Sequence, residues 1–133
     1  MTEFRCVTPA FWVAPQINID DVARAKAEGF TLIINNRPDG EAPGQPSGAE
    51  IEAAARAAGL AYLSAPVVGM PGANQVAAVR DGVAGAAKTL AYCRSGTRSI
   101  MTWALGQARP ENRSELARLG AEAGYDLSPV LGV

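Results

Sequence analysis

The sequence predicts an α/β fold: a mainly parallel sheet flanked by helices. Three observations predict it. Short apolar runs alternate with amphipathic segments along the whole chain, as right-handed β-α-β crossovers require. One run, Phe30-Thr31-Leu32-Ile33-Ile34, is β-branched and apolar throughout, the pattern of a strand buried on both faces. The amphipathic segments repeatedly close on glycine, at Gly29, Gly59 and Gly124.

The elements follow in order. A weak extended stretch near Arg5-Cys6-Val7 precedes an early strand at Phe11-Trp12-Val13. Asn18 is a helix N-cap, and Asp20 and Asp21 put acid in the first turn of a helix from Val22 to Glu28. After the Phe30–Ile34 strand, residues 35–46 carry three prolines and two glycines, a loop composition. Ser47 caps a helix from Gly48 to Ala58, and Leu60 to Ser64 is the next strand. A Pro/Gly loop, Ala65 to Gly72, leads into a helix from Asn74 to Ala87 despite Gly82 and Gly85, which cost it about 1 kcal/mol each. Thr89 to Tyr92 is a strand, Ser99 to Gln107 a helix, and Glu111 to Ala123 a final helix. No linker, repeat or composition break divides residues 1–133, so one domain is expected.

Composition removes several classes of function. Net charge is −1 and no basic stripe is present, which argues against nucleic acid. No apolar run approaches the roughly 20 residues of a membrane span, and the first residues lack the apolar core of a secretory signal. A cytoplasmic protein is the expectation. The chain has no histidine, which removes Ser-His-Asp triads, Cys-His dyads and most zinc sites. No nucleotide-binding glycine motif occurs, so neither an organic cofactor nor a metal is expected.

In open α/β sheets the site lies beyond the carboxyl ends of the strands. Three loops share that edge: 35–46, 66–73 and 93–98. The last reads Cys93-Arg94-Ser95-Gly96-Thr97-Arg98, followed by Ser99 and a helix. A loop entering a helix turns several N–H groups toward one point, binds oxyanions and stabilises a thiolate. Gly96 permits the tight curl. Arg98 can fork onto two oxygens, Arg94 leans toward holding an anion, and Thr97 and Ser99 can donate hydroxyl hydrogens to the sulfur. These features point to nucleophilic chemistry at Cys93 without a basic partner. Arg37 and Asp39, on a neighbouring loop, form either a structural ion pair or a substrate contact. Asn74 and Gln75 read as a helix cap, Trp103 as core, Met70 as a pocket rim or an exposed side chain, and Cys6 as a buried or edge thiol.

The loop C-R-S-G-T-R-S resembles that of rhodaneses and, one residue longer, that of cysteine-dependent phosphatases. Nearly the whole chain extends the likeness: Ile33-Ile34-Asn35-Asn36-Arg37-Pro38-Asp39-Gly40-Glu41, Gln45-Pro46-Ser47, Ala65-Pro66-Val67, the cysteine loop, and Trp103-Ala104-Leu105 fall in the order seen in the bacterial DUF442 family. That family is the phosphatase-like domain of the beta-lactamase hydrolase-like proteins, also called a sulfur transferase family. The resemblance implies a dual-specificity-phosphatase-like fold with four or five strands.

Within that resemblance the loop length separates two chemistries. Phosphatases carry Cys-x5-Arg after a histidine, whereas this chain has Cys93-x4-Arg98 after Tyr92. They also use an aspartic acid beside the thiol, and residues 66–75 contain no acid. Asp39 or Glu41 remain as substitutes from the neighbouring loop. The expectation is therefore a sulfurtransferase that carries a persulfide on Cys93, fed by a small sulfur donor and relieved by a persulfide-acceptor protein. The alternatives are a phosphatase working through a phosphocysteine, and an oxyanion-binding module without turnover.

Overall fold

A computed structural model describes all 133 residues. Five strands form one sheet: β1 (Arg5–Thr8), β2 (Phe11–Ala14), β3 (Leu32–Asn35), β4 (Ala61–Ser64) and β5 (Thr89–Tyr92). Their order is β1-β2-β5-β3-β4, with β1 antiparallel to β2 and every other pair parallel. The cysteine strand β5 is central and buried along its length. The sheet ends of β2, β3 and β5 therefore stand together, which places the loops after them side by side.

The helices are α1 (Ile19–Ala27), α2 (Gly48–Ala57), α3 (Ala73–Ala84), α4 (Thr97–Gln107), α5 (Arg113–Glu122) and α6 (Ser128–Leu131). Alternation along each strand divides the core in two. Ile33, Leu90 and Tyr92 face Val22, Ala25, Ile51 and Ala55 of α1 and α2. Ile34, Ala91 and Val13 face Val79, Ile100, Trp103 and Leu116 of α3 to α5. Trp103 is core as expected, stacked on Phe11 with centroids 4.8 Å apart. Gly82 has a packing role: a Cβ there would stand 3.1 Å from Leu63, so the glycine lets α3 lie close on the sheet.

Several boundaries differ from the sequence expectation. Asn18 does cap the first helix, through a reciprocal box with Asp21, but the helix begins at Ile19. Phe30 lies outside β3, buried against α1, because its N–H closes onto Ala25 at the helix end. The third helix is capped by Gly72 with no side-chain bond, so Asn74 and Gln75 are not its cap, and it stops at Ala84. α6 has no counterpart in the sequence reading; at 4 residues it is too short for periodicity to show. Cys6 is exposed on the edge strand, its thiol donating to the Thr8 carbonyl at 3.3 Å. Met70 and Val68 are exposed on the loop beside the site. No helix is long and apolar enough to cross a membrane.

Candidate active site around Cys93

Cys93 directly follows the central strand β5 and is fully buried. The chain then turns through Arg94 and Ser95 to Gly96, whose φ of 93° lies in the left-handed region open to glycine. The turn directs the Gly96 N–H onto Cys93 Sγ at 3.1 Å. α4 begins at Thr97, two residues earlier than the sequence suggested, so Thr97, Arg98 and Ser99 form its first turn. The N–H groups of Arg94, Ser95, Arg98 and Ser99 find no acceptor in the protein. Free N–H groups at the start of a helix favour an anion, and α4 begins beside these.

The loop side chains divide. Ser99 Oγ is buried and unpartnered, free to donate to a ligand or to the sulfur. Thr97 is engaged elsewhere, accepting the Ser95 hydroxyl hydrogen at 3.0 Å. Arg94 is exposed, with its carbonyl accepting from the Gln16 N–H at 3.4 Å. Asn36, whose N–H donates to the Tyr92 carbonyl at 2.8 Å, leaves its own buried Oδ1 without a donor.

Arg98 is fixed by a residue from a different loop. Its Nη1 and Nη2 donate to the two Glu41 oxygens at 2.7 Å each, and Nη1 also reaches the Val67 carbonyl at 2.8 Å. Arg37 donates from Nε to the same carboxylate at 3.0 Å and from Nη1 to Gln16 Oε1 at 3.1 Å. One carboxylate thus ties two guanidinium groups, and this trio carries one net positive charge. The Arg98 hydrogen bonds, with help from Arg37, hold the Glu41 carboxyl down at about 2. Arg98 is correspondingly raised, first by Glu41 and further by the neighbouring Cys93.

This geometry corrects three expectations. Arg37 and Asp39 do not pair: Arg37 pairs with Glu41, while Asp39 accepts the Gly48 N–H at 2.8 Å at the start of α2. Glu41, offered as a substitute acid, is instead held ionised by the hydrogen bonds of Arg98 and Arg37. Thr97 does not address the sulfur. Arg37 nonetheless lines a cleft of about 350 Å³ with Asn35, Asp39, Tyr62 and Ser64, at the ends of β3 and β4. Tyr92, which stands where phosphatases place a histidine, is buried, and burial raises its phenol far above the ordinary range. Gln16, Glu41, the Val67 carbonyl and Tyr125 all build the site without having drawn notice in the sequence as loop partners. Glu41 alone had a usable signal: it is the second acid of the Arg37-to-Glu41 loop.

A family model described as "Beta-lactamase hydrolase-like protein, phosphatase-like domain" matches residues 3–110. The chain belongs to that family. A beta-lactamase hydrolase-like protein of Xylella fastidiosa is 39% identical over 119 residues, covering 86% of this chain and 28% of that protein. The chain therefore spans little more than a quarter of the curated relatives it matches. Among solved structures, a phosphatase candidate from Neisseria meningitidis is 28% identical, with a TM-score of 0.81 over 96% of this chain and 93% of the other. A DUF442 phosphatase candidate from Shewanella putrefaciens shares the fold at 18% identity, with a TM-score of 0.67 over 92% of this chain and 93% of that one. The domain is phosphatase-like, with the dual-specificity-phosphatase fold the resemblance implied.

Proposed function

We propose that this phosphatase-like domain is a cysteine-dependent phosphatase in which Cys93 is the nucleophile and Arg98 the oxyanion holder. The observation that carries the reading is the Cys93 sulfur at the head of α4, accepting the Gly96 N–H with Arg98 alongside. The phosphoryl oxygens of a monoester take the unpaired N–H groups of residues 94, 95, 98 and 99 and the free edge of Arg98. The sulfur attacks phosphorus, an S–P bond forms and the ester P–O bond breaks. Water then cleaves the S–P bond, giving inorganic phosphate and the free sulfur anion. Ser99 Oγ is placed to steady that anion. Arg94 adds positive charge at the rim, and Arg37 acts through Glu41. With Glu41 tied to two arginines and Asp39 turned to the Gly48 N–H, the leaving oxygen departs as an anion in this reading, so activated esters such as aryl phosphates are the substrates of choice.

The absence of an acid from residues 66–75 favours a second reading, sulfur transfer. Cys93 attacks the outer sulfur of thiosulfate, an S–S bond forms, and sulfite leaves as an anion without needing a proton. The resulting persulfide carries its charge into the same N–H groups, and an acceptor protein would take the sulfur on. The two readings separate in one experiment: aryl phosphate turnover and intact mass before and after thiosulfate, each beside Cys93→Ser. Phosphate release by the wild type alone supports the phosphatase. A gain of one sulfur by the wild type alone, with no phosphate released, replaces it with the transferase. Neither response, with sulfate still raising thermal stability, reduces the loop to an anion-binding module.

A further inference from the structure

The family match ends at residue 110, yet the Cys93 loop is completed by a side chain beyond it. Tyr125 follows α5, and its hydroxyl donates to the Ser95 carbonyl at 2.9 Å. That carbonyl and the Gly96 N–H belong to one peptide unit. In a planar trans peptide the oxygen and the hydrogen point in opposite directions. Holding the oxygen on Tyr125 therefore sends the hydrogen the other way, and there it meets Cys93 Sγ at 3.1 Å. The contact is close: a Cβ on Gly96 would overlap the Tyr125 hydroxyl.

Tyr125 is itself held firmly. Gly124, at φ 96°, turns the chain after α5, and the Tyr125 N–H closes onto the Gly120 carbonyl at 2.9 Å. Arg5 on β1 donates to the Ala123 carbonyl at 3.3 Å and sets its guanidinium 5.3 Å from the Tyr125 ring centre. Leu127, two residues on, is buried in the core. Burial raises the Tyr125 phenol above its ordinary value, so the hydroxyl keeps the hydrogen it donates.

We propose that Tyr125 is a positioning residue for Cys93, locking the Ser95–Gly96 peptide so that its N–H faces the sulfur and its carbonyl faces away. The proposal rests on the reading of Cys93 as nucleophile. Released from Tyr125, this peptide can rotate and present an oxygen where a donor now stands, opposing both the sulfur anion and a bound oxyanion. The C-terminal segment is on this account part of the site.

The test is Tyr125→Phe in the full chain, which keeps the ring against Gly96 and Arg5 and removes one hydroxyl. Both proteins carry Cys6→Ser, since Cys6 is exposed and would also react. Iodoacetamide labelling of Cys93 is followed by intact mass across pH, below the unfolding transition of either protein, together with the thermal shift given by sulfate. The expected result is labelling at neutral pH slowed about two- to tenfold, the range set by one hydrogen bond. The labelling curve should move to higher pH, and the sulfate shift should shrink. An unchanged curve overturns the proposal. So does faster labelling at every pH, which would make Tyr125 a mere cover. A displaced curve with no aryl phosphate turnover in either protein overturns the phosphatase reading and leaves this one standing.

Discussion

Replacing Glu41 by glutamine keeps the length and shape of the side chain and removes its charge. In the folded protein that carboxylate accepts two Arg98 bonds at 2.7 Å and one Arg37 bond at 3.0 Å. Its pKa is held at about 2, against roughly 4.3 for an unfolded glutamate. The folded state thus gains stability from ionised Glu41. That gain is fully present above the unfolded value and is lost as pH falls from about 4.3 toward about 2. The gap between the two values sets an upper bound of roughly 3 kcal/mol. The side chain is 28% exposed, so solvent screening brings the expected contribution to about 1–2 kcal/mol. Urea unfolding of wild type and Glu41→Gln should therefore show a midpoint lower in the variant by roughly half to one molar at neutral pH. The difference should close near about pH 2, where the wild-type carboxyl is also neutral. Equal midpoints at neutral pH would refute the reasoning. A difference that persisted undiminished in acid would do so as well, because it would show that shape and not charge holds the two arginines.

Gly96→Ala should cost about 1–3 kcal/mol, since the added methyl meets both a left-handed backbone and the Tyr125 hydroxyl. Thermal unfolding reads the cost, and aryl phosphate turnover should fall with it; wild-type values for both would count against the loop geometry. Asp39→Asn should change turnover by no more than about twofold, because Asp39 serves the start of α2, whereas a drop of about a hundredfold would restore it as the proton donor. Across a series of aryl phosphates, turnover should decline steeply as the leaving phenol becomes more basic, and a flat series would reveal a working proton donor and refute departure as an anion.

The Arg37-to-Glu41 loop shows why the sequence left two roles open for Arg37 and Asp39, an ion pair or a substrate contact. Arg37 and Asp39 are two residues apart, and proximity in sequence suggested a pair. Backbone direction decided otherwise: Asp39 is drawn to the Gly48 N–H, and the next acid, Glu41, meets Arg37. The start of α4 is a plainer difference, at Thr97 and not Ser99. Thr97 and Arg98 read as loop because Gly96 precedes them, but the left-handed glycine sits at the N-cap and the helix starts at once. By contrast the candidate nucleophile stood out, since a thiol between a buried strand and a helix, followed by glycine and arginine, is a local pattern.

Local pattern is what the sequence by itself determined: strands from unbroken apolar runs, helices from caps and closing glycines, and the Cys93 turn from six adjacent residues. An α/β sheet followed from the order of those pieces, and the resemblance to the DUF442 family implied its phosphatase-like form. Only the tertiary structure decided who completes the site. Glu41 reaches Arg98 across 57 positions, and Tyr125 reaches Ser95 across 30. Those contacts arise because β5 lies between β2 and β3, which gathers their loops at one edge, and because Gly124 and Leu127 fix the C-terminal turn over Gly96. No spacing rule encodes them, since the distance between two side chains there is set by strand order and packing and not by their separation along the chain.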